Sequence, residues 1–71
     1  MDVAMYKIWP EAESCVDRLI EVIEAQGVKS VGPGTKGYVW VVIVEPETKR
    51  LQVPAELGTV VGRRSTADLG L

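Results

Sequence analysis

The chain has 71 residues, a net charge of −2, a single cysteine and no histidine. That length implies one small domain with a marginal core, since so short a chain buries only about 60% of the surface it exposes when unfolded. The composition excludes an intramolecular disulfide, a metal site built on paired cysteines or on histidine, and the histidine-dependent general-base and triad chemistries.

Charge is divided along the sequence. Residues 1–26 hold Asp2, Glu11, Glu13, Asp17, Glu21 and Glu24 against Lys7 and Arg18, a balance of −4. Residues 27–71 hold Lys29, Lys36, Lys49, Arg50, Arg63 and Arg64 against Glu45, Glu47, Glu56 and Asp68, a balance of +2. No basic-then-apolar leader opens the sequence, and its longest apolar run, 38–44, is far short of the ~20 residues a membrane helix needs. No signal peptide and no membrane span are expected. With no disulfide to form, a reducing cytoplasm is the expected compartment.

In chain order, 3–9 (Val-Ala-Met-Tyr-Lys-Ile-Trp) is short and apolar-rich and ends at Pro10. The residue before proline is pushed out of the α region, so this segment reads as a strand. Pro10 suits the first position of a helix, with Glu11 and Glu13 near its positive end; Ser14 is an alternative N-cap one turn later. The helix is expected over 11–26. Ala12, Val16, Leu19, Ile20 and Ile23 share one face at 100° per residue, flanked by Cys15 and Val22, and Gly27 is placed for a left-handed C-terminal cap.

Residues 28–31 form a short extended candidate, and 32–37 (Gly-Pro-Gly-Thr-Lys-Gly) reads as a loop. The run 38–44, Tyr-Val-Trp-Val-Val-Ile-Val, is rich in β-branched and aromatic residues and predicts a strand. Tyr38, Trp40, Val42 and Val44 fall on one of its faces and Val39, Val41 and Ile43 on the other. Neither face is polar, so the strand is expected to be central and covered on both sides. The polar stretch 45–50 predicts a reversal into a strand at 51–53, followed by a single helical or 3-10 turn at 54–58 and a last strand at 59–61. The stretch 51–61 resembles the closing corner of SH3-like small barrels, without a diagnostic motif.

These elements predict an α+β fold, with one N-terminal amphipathic helix packed on a small, mostly antiparallel sheet of three to four strands. The order is β-α-β-β-β, and the sheet has the option of curling towards an SH3-like barrel. Residues 1–62 are expected to form the domain and 63–71 a mobile tail.

Few residues carry chemistry. Gly32 and Gly37 have the spacing of a phosphate-binding loop, but Tyr38 and Val39 follow where lysine and serine or threonine are needed. Cys15 has no base beside it and reads as a small apolar residue. Glu13, Asp17, Glu21 and Glu24 lie along one stripe of the helix without an interleaved base, either as a solvated face or as a surface for a basic protein partner. Lys49, Arg50, Arg63 and Arg64 are the candidate phosphate or nucleic-acid contacts, though they are few for an interface that rests on many phosphates. Arg63-Arg64-Ser65-Thr66 also has the form of a modification site in a mobile tail. Trp9 and Trp40 read as core or subunit-interface residues.

The expected function is a small non-catalytic protein-binding module: a regulator, inhibitor or adaptor of a larger protein, a class into which a phage or mobile-element inhibitor fits. No cofactor or metal is expected. A homodimer is expected to cover the second apolar face of the 38–44 strand, with a closed barrel or a hetero-partner as alternatives. The rival function is a small β-rich nucleic-acid-binding regulator. An enzyme whose site assembles between subunits ranks last.

Overall fold

The computed structural model describes residues 2–34 and 40–66. Strand β1 (Ala4–Pro10) leads through a 3-10 turn (Glu13–Cys15) into helix α1 (Val16–Glu24), followed by strands β2 (Ser30–Pro33), β3 (Trp40–Val44) and β4 (Gly58–Ser65). All pairings are antiparallel, in the order β2-β3-β1-β4. This is the expected small α+β fold, with its helix after the first strand. The sheet is open, with β2 and β4 as its edges, and does not close into an SH3-like barrel.

Alternation within β1 sets the core. Ala4, Tyr6, Ile8 and Pro10 are buried, while Met5, Lys7 and Trp9 point to the other face. On β3, Val42 and Val44 join the buried side. Leu19 and Ile23 of α1 are fully buried with them, and Leu57 completes the cluster. The helix therefore covers one face of the sheet, as the apolar periodicity predicts. The centre of its stripe differs from expectation: Cys15, Val16, Ile20 and Val22 are all half-buried, and of these Cys15 and Val22 pack on the core.

The helix also begins later than expected. Pro10 stays in β1 opposite Gly58, and the Glu11 amide donates to the Leu57 carbonyl at 2.9 Å. Ala12 is extended (φ −155°, ψ 157°). Pairing with β4 thus holds the chain out of helix where proline and glutamate alone would start one. Ser14 lies inside the 3-10 turn, and neither this turn nor α1 has a side-chain cap hydrogen bond. Gly27 takes the left-handed conformation (φ +73°) expected of it.

Three other segments depart from expectation. The extended piece after the helix lies at Ser30–Pro33 instead of 28–31, because Val31 pairs with Val42 and Pro33 with Trp40; an edge strand tolerates the proline. Residues 51–53 are not a strand. Leu51 and Val53 pack on the core, but the backbone of Gln52 bonds to the side chain of Gln26. The last strand is longer than 59–61 and runs through Ser65. Arg63, Arg64 and Ser65 therefore belong to the sheet instead of the tail, and Thr66 ties back to Val3 by its amide and hydroxyl. The remaining tail residues, 67–71, lie outside the described residues, as do 35–39 of the predicted loop and strand.

The β1–β4 ladder is irregular: Lys7 opposes Gly62 but Ile8 opposes Val60, which leaves Val61 as an extra residue, a β-bulge. At the start of β4, Gly58 lies so close to β1 that a Cβ there would sit 3.0 Å from the Trp9 carbonyl oxygen. The turn before it, where the Leu57 and Gly58 amides both donate to the Pro54 carbonyl, fits the single helical or 3-10 turn expected there.

Candidate functional site

The register Ile8 to Trp40 brings the two tryptophans to the same end of the sheet. There the chain leaves β1 for the helix, and a groove of about 680 Å³ opens. Trp9, Trp40 and Val16 line it, together with Glu11, Glu13 and Asp17. Trp9 is 46% exposed, while Trp40 is half-buried against the core. No lysine or arginine is among the described residues that line the groove.

The four acidic residues of the predicted stripe are all exposed, but the structure divides them. Glu13 and Asp17 border the groove, where Glu11 joins them. Glu21 lies beside a small depression with Arg18, Val22 and Ala25, and Glu24 stands in the last turn of α1. Sequence reasoning placed Glu11 in the helix and assigned it no site. Its position and those of the tryptophans depend on the β1–β3 register. Among the described residues, no three His, Cys, Asp or Glu side chains are grouped to hold a metal ion.

The basic residues do not form one patch. Arg63 and Arg64 follow each other along a strand and so face opposite ways. Arg63 lies over the Tyr6 ring, its guanidinium carbon 5.6 Å from the centroid. Its Nε donates to the Tyr6 hydroxyl at 3.2 Å and Nη2 to the Glu47 carbonyl at 2.8 Å. Arg64 is on the other face, opposite Met5 and near Lys7. Lys49 donates to the Gly27 carbonyl at 3.4 Å, and Arg50 is exposed. The Ser65 and Thr66 hydroxyls are not presented as a modification site would need: Ser65 is buried, and Thr66 Oγ1 both accepts from the Val3 amide and donates to the Val3 carbonyl.

The sheet face away from the helix carries Met5, Val41 and Ile43, all half-buried, with Trp9 at one end. Lys7 lies opposite Val41 within this apolar strip, and Arg64 lies beside Met5. Val39, predicted for the same face, lies outside the described residues. No helix among the described residues is long and apolar enough to cross a membrane. Compared with protein-family models, with curated proteins and with solved structures, the chain matches none.

Proposed function

We propose that this chain is a non-catalytic protein-binding module, a small regulator, inhibitor or adaptor that works by presenting surfaces to other proteins. The observation that carries this reading is the one-sided sheet: α1 covers the face of Ala4, Tyr6 and Ile8, while Met5, Val41, Ile43 and Trp9 remain on the other. An apolar strip of this kind is typical of an interface. A second copy is its natural cover, because a two-fold pairing buries the same strip on both chains at once. The exposed acids of the helix side then face outwards, towards a protein with a basic surface.

Light scattering coupled to size exclusion tests the self-association. A mass of twice 7.7 kDa at micromolar concentration, reverting to 7.7 kDa in Ile43→Lys, is expected. The monomer mass for the unsubstituted chain at every concentration overturns the dimer. The rival nucleic-acid reading draws no support from basic residues that diverge to opposite faces, and a gel shift that weakens steeply with salt is the result that would revive it.

A further inference from the structure

We propose that residues 48–53 form a latched flap, which swings off the core as one unit while the sheet and the helix stay folded, with Gln26 as its latch. This goes beyond the protein-binding reading and holds whatever the chain binds. The flap is slung between two fixed points. At Glu47 the amide donates to the Asp2 carbonyl at 3.1 Å, and the carbonyl accepts from Arg63 Nη2 at 2.8 Å. At Leu57, which is buried, the carbonyl accepts from the Glu11 amide at 2.9 Å. Between these points, among the described residues, no backbone–backbone hydrogen bond joins 48–53 to a strand or to the helix.

The polar ties across the gap are side-chain bonds, and both end on consecutive residues at the close of α1. Gln26 holds the Gln52 backbone through its amide group, and Lys49 Nζ donates to the Gly27 carbonyl at 3.4 Å. Release at this one end of the helix therefore frees the whole flap.

Little opposes the release. Leu51 and Val53 are only half-buried and Gln52 between them is exposed, so water takes up both Gln52 backbone groups as they leave Gln26. Gln26 itself retains its bond to the Val22 carbonyl. Segments with few buried apolar contacts and exposed hydrogen bonds open well below the free energy of global unfolding, and the moving parts of binding proteins are drawn from them. Closed, the flap packs Leu51 and Val53 on the core cluster. Open, it presents both side chains and uncovers the part of the core beneath them, an apolar surface that exists only in that state.

Relaxation dispersion of methyl and amide signals on the labelled full chain tests the flap. Leu51, Val53 and the Gln52 amide are expected to share one exchange rate and one minor population, on the order of 0.1–10%, with no such exchange at the Ile8 and Val42 methyls. Gln26→Ala is expected to raise the open-to-closed ratio about tenfold, and Lys49→Ala to raise it less, with melting still cooperative in both. Hydrogen exchange at Gln52 is expected to be insensitive to low urea, because a local opening exposes little surface, whereas exchange at Val42 accelerates with it. The unsubstituted chain and Lys49→Ala decide the outcome if Gln26→Ala fails to fold. Gln52 exchange that follows Val42 in rate and urea slope, unequal rates at Leu51 and Val53, or flat dispersion in the unsubstituted chain and its variants each overturns the proposal.

Discussion

The side-chain amide of Gln26 bonds the backbone of Gln52 on both sides, accepting from its N–H at 2.9 Å and donating to its carbonyl at 2.7 Å. The same Nε2 also donates to the Val22 carbonyl at 3.2 Å. Gln26, two residues past the helix, thus supplies what a neighbouring strand would supply to residues 51–53, and holds Leu51 and Val53 against the core. Gln26→Ala is expected to cost about 1–2 kcal/mol, because Gln52 is exposed and water recovers part of each bond. Urea midpoints give the loss, and hydrogen exchange at the Gln52 amide is expected to accelerate more than at Val42.

Leu19→Ala and Ile23→Ala are each expected to cost about 2–5 kcal/mol, as for fully buried aliphatics. Val16→Ala and Ile20→Ala are expected to cost less, since both side chains are only half-buried. Urea denaturation of the four variants ranks them. Equal losses at Ile20 and Ile23 would place the helix's inward stripe elsewhere.

Gly58→Ala is expected to destabilise by about 1–3 kcal/mol, the usual cost of forcing atoms into a packed site. Its Cβ would lie 3.0 Å from the Trp9 carbonyl oxygen and 3.3 Å from Ile8 Cγ2, and the backbone oxygen has little room to move. A thermal melt that leaves the midpoint unchanged would show that β1 and β4 separate readily at this end.

Truncation after Gly62 is expected to unfold the chain. It removes the pairings of Arg63, Arg64 and Ser65 with Tyr6, Met5 and Ala4, together with the Thr66 bonds to Val3. Circular dichroism of the shortened chain decides this, and retained cooperative melting is the contrary result.

Salt is expected to act in opposite directions on the two surfaces. Reversing Asp17 and Glu21 to lysine abolishes capture of a basic partner while leaving the melting curve intact, and rising salt weakens the same capture. The proposed self-association through the open face is expected to strengthen with salt, because Lys7 and Arg64 of the two copies would then repel each other less. Sedimentation from low to high ionic strength separates the two behaviours.

The helix and the element order were legible because their signals are local. Leu19 and Ile23 recur at helical spacing, Gly27 follows, the run 38–44 is rich in β-branched residues, and 3–9 is short, apolar and stopped by Pro10. The missed features depend on partners distant in sequence. Nothing near Gln52 announces Gln26. Pro10 stays in a strand only because Gly58 is opposite. Arg63-Arg64-Ser65 reads as a polar tail, yet β1 supplies its ladder. The site divides the same way: Glu13 and Asp17 were visible as charges, but their meeting with Trp9 and Trp40 is a product of register.

The bulge at Val61 has a consequence for how far association can proceed. An unpaired strand edge is a template on which further chains add without limit. Here one border of the sheet is the short β2, ending in Pro33, which has no N–H to offer. The other is β4, whose ladder is broken by the bulge, with the adjacent charges of Arg63 and Arg64 beyond it. Both borders therefore resist lateral growth, while the apolar strip lies on the flat of the sheet. If chains associate by that strip, the expected end point is a closed pair instead of a fibre.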